Sequence, residues 1–115
     1  QGMTLRYFEQ TLGGNFTERT GAENPFIAIG FANQVPVAVD WDADGDLDLV
    51  VGHYVDRVNS FYIGGLSYFE RNASDQLIPR TGSENPFQGL QLARWEWPTF
   101  GDVNRDGDAD LVMRS

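Results

Sequence analysis

Valine recurs at every second position along Val35-Pro36-Val37-Ala38-Val39-Asp40, which puts Val37 and Val39 on one face of an extended strand. Three more short segments follow: Leu47 to His53, Leu66 to Arg71 and Gln76 to Thr81. They are rich in β-branched, aliphatic or aromatic residues. The last runs into a turn, Gly82-Ser83-Glu84-Asn85-Pro86, built from residues that favour turns for separate backbone reasons. No stretch carries a helical period. The pattern predicts an all-β fold of short antiparallel strands.

The pattern occurs twice. Leu5-Arg6-Tyr7-Phe8-Glu9 matches Leu66-Ser67-Tyr68-Phe69-Glu70. Arg19-Thr20-Gly21-Ala22-Glu23-Asn24-Pro25-Phe26 matches Arg80-Thr81-Gly82-Ser83-Glu84-Asn85-Pro86-Phe87. Pro36 matches Pro98, and Asp40 matches Asp102. One residue is inserted in the second copy between Phe87 and Pro98. Only Gly52 to Gly65, read as the connection between the second and third strands, has no second copy. Repetition on this scale marks a repeat architecture.

Between the first two strands lies Asp40-Trp41-Asp42-Ala43-Asp44-Gly45-Asp46-Leu47-Asp48, with a carboxylate at every second position. Such a run repels itself unless a cation sits in it. Ca²⁺ takes six to eight hard oxygen ligands and suits a flexible acidic loop, whereas Mg²⁺ keeps its waters. Asp40, Asp42, Asp44 and Asp48 are the expected side-chain ligands, and Asp46 is expected to offer its backbone carbonyl. Gly45 permits a sharp turn at positive φ. The loop returns as Asp102-Val103-Asn104-Arg105-Asp106-Gly107-Asp108-Ala109-Asp110, where Asn104 still supplies an oxygen. Two Ca²⁺ ions per chain are expected. An EF-hand also opens this way, but it needs a Glu at the twelfth position and flanking helices. The twelfth positions here are Val51 and Met113, inside strand-like segments.

These motifs together resemble the FG-GAP/VCBS repeat, the calcium-binding β-propeller family that includes the integrin α-chain propeller. It also includes several lectins and propeller domains of large secreted enzymes. The resemblance covers nearly the whole chain and implies four-stranded antiparallel blades, with the Ca²⁺ loop joining the first and second strands. Carried over by position, the metal ligands are Asp40, Asp42, Asp44, Asp46 and Asp48, then Asp102, Asn104, Asp106, Asp108 and Asp110. In blade terms, strands of a split blade lie at 5–26, a full blade at 35–87 and the other split-blade strands at 98–115. That makes two blade-equivalents, whereas propellers close with about four to eight.

Half, full and half blade are complementary. They predict either head-to-tail pairing with copies of the same chain or further blades on a longer chain. A heterologous interface closes into a ring or runs on as a filament. Three or four chains would each give an even number of blades within the usual range.

Composition narrows the function further. The chain has 115 residues and a net charge of −9, and the two loops hold nine acidic residues. The acidity is therefore local to the loops. Only 8 residues are Lys or Arg, which argues against nucleic acid and anionic membranes as partners. No run of about 18 apolar residues, the length of a membrane span, is present. There is no cysteine, which rules out disulfides but not secretion, since bound Ca²⁺ can replace them as the cross-link. Asn15-Phe16-Thr17 and Asn72-Ala73-Ser74 are glycosylation sequons. A secreted, extracellular setting is expected.

Ligand candidates are Tyr54, Phe61 and Tyr62 in the unrepeated connection, and Trp95 and Trp97 between the blades. Aromatic faces beside polar groups suit glycans or protein surfaces. Their plainer reading is hairpin decoration and core packing. His53 is the single histidine, and no Ser-His-Asp or Cys-His set is evident, so no enzyme is expected. The expected function is a Ca²⁺-stabilised binding module in recognition, adhesion or assembly. A lectin, or the propeller part of a secreted polysaccharide-active enzyme, is the alternative.

Overall fold

The computed structural model describes residues 3–31, 35–58, 61–90, 92–93 and 97–114. Its strands are β1 Met3–Thr4, β2 Tyr7–Gln10, β3 Phe16–Arg19, β4 Gly30–Phe31, β5 Val35–Val39 and β6 Asp48–Val58. They continue as β7 Phe61–Arg71, β8 Leu77–Arg80, β9 Leu92–Ala93, β10 Trp97–Gly101 and β11 Asp110–Arg114. Helical structure among the described residues is confined to three single 3₁₀ turns, at Leu12–Gly14, Gly21–Glu23 and Gly82–Glu84. No helix among them is long and apolar enough to cross a membrane. The fold is all-β, as the alternation predicts.

The central sheet is antiparallel in the order β5-β6-β7-β8, and β9 pairs with the far part of β7. Val37 lies opposite Val50, Leu49 opposite Phe69 and Tyr68 opposite Arg80. Two hairpins flank this sheet. In β2–β3, Tyr7 lies opposite Arg19, the pairing that Tyr68 and Arg80 make in β7–β8. In β10–β11, Pro98 lies opposite Met113, as Pro36 lies opposite Val51 in β5–β6. The N-terminal hairpin thus repeats β7–β8 of the central sheet, and the C-terminal hairpin repeats its β5–β6. The described sheets do not close into a barrel or ring.

The connection expected at Gly52 to Gly65 is mostly paired strand. β6 and β7 continue together to Val58 opposite Phe61, with a register shift between Tyr54 and Asp56. Gly64 and Gly65 sit inside the ladder, opposite Tyr54 and His53. A Cβ on Gly65 would come 3.0 Å from Val55 Cγ2. Glycine is there because a neighbouring side chain lies over the backbone, not because the chain turns.

Both faces of the central sheet are covered. Val39, Val50, Leu66, Tyr68 and Phe87 pack against Trp41, Phe100, Leu111 and Met113, which brings in the C-terminal hairpin. Leu49, Val51 and Phe69 face the other way, against Leu5, Ile29, Phe26 and Leu77. Val50 and Val51 are therefore both fully buried although they point in opposite directions. Each such side chain is worth about 1.5–3 kcal/mol of burial. Trp41 lies 4.9 Å from Phe87 and 5.8 Å from Phe100 between ring centres.

The repeated Thr-Gly-x-x-Asn-Pro-Phe turn is fastened the same way in both copies. Asn24 Nδ2 donates to the Leu5 carbonyl at 2.8 Å, and its Oδ1 accepts the Phe26 N–H at 2.9 Å. Asn85 makes the matching bonds to Leu66 and Phe87, both at 2.9 Å. These bonds press Phe26 and Phe87 onto the sheet. Asn24→Ala leaves the Leu5 carbonyl without this donor. Urea unfolding should show a loss of about 1–3 kcal/mol for it, and a smaller loss for Asn85→Ala at the less buried copy.

Candidate metal centre

The first acidic loop is shaped by its own carboxylates. Asp40 Oδ1 accepts the Asp44 N–H at 3.1 Å and its Oδ2 accepts the Gly45 N–H at 2.9 Å. Asp44 Oδ1 accepts the Asp46 N–H at 2.9 Å. The chain enters the left-handed region at Ala43 (φ 60°) and again at Gly45 (φ 94°). The non-glycine residue there costs roughly 1–2 kcal/mol, set against the bonds that Asp40 accepts.

The second loop reproduces this geometry. Asp102 accepts the Asp106 N–H at 3.1 Å and the Gly107 N–H at 2.9 Å, and Asp106 accepts the Asp108 N–H at 3.0 Å. Arg105 (φ 64°) and Gly107 (φ 93°) hold the left-handed positions. Trp41 N–H donates to Asp48 Oδ2 at 3.2 Å, as Val103 N–H donates to Asp110 Oδ2 at 2.9 Å.

Carboxylate oxygens of Asp40, Asp42 and Asp48 lie within 4.8 Å of one another, as do those of Asp102, Asp106 and Asp110. A further group joins Asp42, Asp44 and Glu70. Neither Asp46 nor Asp108 contributes a side chain to these groups. Asp46 and Asp108 remain candidates through their carbonyls, and Asn104 through its amide oxygen. The donors are all hard oxygens, the set that Ca²⁺ prefers.

Glu70 is the member that sequence reasoning missed. It belongs to β7, held at 3.0 Å by Arg80 Nε, and reaches the loop only because β7 pairs with β6. Asp48 is buried and bridges the same strands. It accepts the Arg71 N–H at 2.9 Å and the Tyr68 hydroxyl at 3.2 Å. Burial and the Asp48 charge push the Tyr68 phenol upward.

Without a cation, this crowding acts on Asp42. Desolvation raises its carboxyl to about 7, helped by hydrogen bonds with Glu70 and Asp44 and the charge of Asp48. Asp44 moves the other way, held down first by the Asp46 N–H.

Of the ligand candidates, Tyr54 is half-buried on β6. Phe61 and Tyr62 lie on β7 opposite Val58 and Arg57, and Trp97 lies on β10 opposite Arg114, with side chains outside the described residues. Trp95 lies wholly outside them. The structure also pairs His53 with Ser67, two residues that no motif in the sequence joins. His53 Nε2 is 2.6 Å from Ser67 Oγ, and Nδ1 is 3.0 Å from the Tyr54 carbonyl. The contact ties β6 to β7.

No protein-family model, curated protein or solved structure matches the chain.

A carboxyl with a raised folded pKa holds its proton longer in the folded than in the unfolded state. Metal-free stability from this group therefore falls as pH rises from near 4 towards about 7. Thermal melts in chelator should show that fall in the native sequence and a flatter profile in Asp42→Asn. Parallel profiles would refute the assignment.

Proposed function

We propose that the chain is a Ca²⁺-stabilised binding module of β-propeller blade type. Each acidic loop holds one ion. The observation that carries this reading is the duplicated loop: two segments far apart in the chain share their left-handed positions and their pattern of carboxylate-to-amide bonds. A solvated acidic turn has no reason to gather three carboxylates within 4.8 Å in both copies. A divalent cation supplies one. The first ion takes Asp40, Asp42, Asp44, Asp48 and Glu70 with the Asp46 carbonyl. The second takes Asp102, Asn104, Asp106 and Asp110 with the Asp108 carbonyl.

The blade reading is supported by the antiparallel order β5-β6-β7-β8 and by the flanking hairpins, which repeat its two halves. The ion's role is structural, locking β5 to β6 and β7 where carboxylates would otherwise push the loop apart. The module then serves recognition, adhesion or assembly outside the cell, where Ca²⁺ is abundant.

Calcium should raise the melting temperature, and chelator should reverse the rise. At about a hundredfold excess over Kd, each site adds roughly 2.7 kcal/mol. Asp40→Ala and Asp102→Ala should each remove about half of the calorimetric Ca²⁺ stoichiometry, since the sites are separate. A melting temperature indifferent to both Ca²⁺ and chelator would sink the proposal.

A further inference from the structure

The repeat lets one part of the molecule serve as a template for another. In the central sheet, Val50 is 0% exposed and Phe69 8%. Their counterparts in the flanking hairpins, Val112 and Phe8, are 46% and 44% exposed. Leu77 of β8 is half-buried, while its counterpart Phe16 on β3 is 67% exposed. The equivalent positions are covered where β6 meets β7 and bare where the second edges of β11 and β2 carry no paired strand among the described residues.

The covering surface can be read from the template as well. Phe69 and Leu77 pack against Leu5, Phe26 and Ile29. The repeat counterparts of those three are Leu66, Phe87 and Leu90. All three line a cleft of about 470 Å³ beside β7 and the turn after β8. By the template, the residues that fill that cleft are the counterparts of Phe69 and Leu77, which are Phe8 and Phe16, on the opposite flank of the chain.

We propose that the β2–β3 hairpin of a second copy of this chain adds to the free edge of β11 and inserts Phe8 and Phe16 into the cleft at Leu66, Phe87 and Leu90. The proposal deepens the blade reading above and rests on it. The register follows from the central sheet, where Val50 lies opposite Tyr68 and Leu49 opposite Phe69. Val112 therefore lies opposite Tyr7 of the second copy, and Leu111 opposite its Phe8.

The polar groups agree with this register. Asp48 accepts from the Tyr68 hydroxyl and the Arg71 N–H, so Asp110 gains the Tyr7 hydroxyl and the Gln10 N–H of the second copy. Glu70 is held by Arg80 and reaches the first loop. Its counterpart Glu9 is held at 2.8 Å by Arg19, ready to reach Asp106 of a neighbour. The interface is heterologous. Such an interface closes as a ring or continues as a filament.

The test is native mass spectrometry and sedimentation of the whole chain in Ca²⁺, with two sets of variants. The native chain should form a closed oligomer or a concentration-dependent series. Phe8→Ser and Phe16→Ser change exposed side chains and should leave the single chain folded, yet each should weaken assembly about tenfold or more. A Tyr7→Cys copy mixed with a Val112→Cys copy should give a disulfide-linked pair on oxidation. A Phe8→Cys copy with the same Val112→Cys copy should not, because its side chain points to the other face. A native chain that stays monomeric at every concentration overturns the proposal, as does assembly with no preference between the cysteine pairs. Melting of the Phe8→Ser/Phe16→Ser double variant with and without Ca²⁺ keeps the two readings apart. A calcium-stabilised monomer defeats the pairing and leaves the metal reading standing. Indifference to Ca²⁺ defeats the metal reading whatever the assembly does.

Discussion

Asp48 is an ionisable side chain with almost no access to solvent, and the arrangement around it depends on how that carboxylate is satisfied. It accepts the Trp41 N–H from the loop, the Arg71 N–H from the end of β7 and the Tyr68 hydroxyl from the sheet face. An isolated buried carboxylate would be costly, so these donors hold loop and strands together at one point. Arg71 adds a second tie, donating from Nε to the Leu47 carbonyl at 2.9 Å. With the loop fixed there, Trp41 sits against Phe87 and Phe100 and joins acidic loop, turn and C-terminal hairpin in one aromatic cluster.

The second loop shows what depends on this point and what does not. Its internal bonds match those of the first loop closely, so the loop shape is set locally by Asp102 and Asp106. Asp110 keeps the N–H from Val103 and is only half-buried, since no third strand lies beside β11 among the described residues. The difference between the copies is therefore confined to the strand that supplies Tyr68, Glu70 and Arg71. Local hydrogen bonding makes the loop, and strand pairing makes the buried carboxylate and brings in Glu70.

Much of this was legible in the residues. The alternation at Val37 and Val39, the match of Tyr7-Phe8-Glu9 with Tyr68-Phe69-Glu70 and the nine-residue acidic loops led to an all-β fold with the metal candidates in place. The Gly52 to Gly65 segment was read as a connection because it has no second copy, and only the pairing of β6 with β7 out to Val58 and Phe61 shows it to be mostly strand. Glu70 was invisible as a ligand because it follows Asp44 by more than twenty residues in sequence, and no loop spacing points to it. His53 and Ser67 were hidden for the same reason: their meeting is a diagonal across two strands.

By itself the sequence determined what depends on neighbours along the chain: strand alternation, the Asx-type bonds that fold each acidic loop, the Asn-Pro-Phe turn and the repeat. These are short-range, since a side chain and a backbone amide two to five residues away meet whatever the rest of the chain does. Tertiary structure decided which faces are covered. Val50 and Val112 occupy the same place in the repeat, and so do Phe69 and Phe8, yet one of each pair is buried and the other bare. Burial depends on which strand lies alongside, and a strand's partner is set by register and packing over distances that no local pattern encodes.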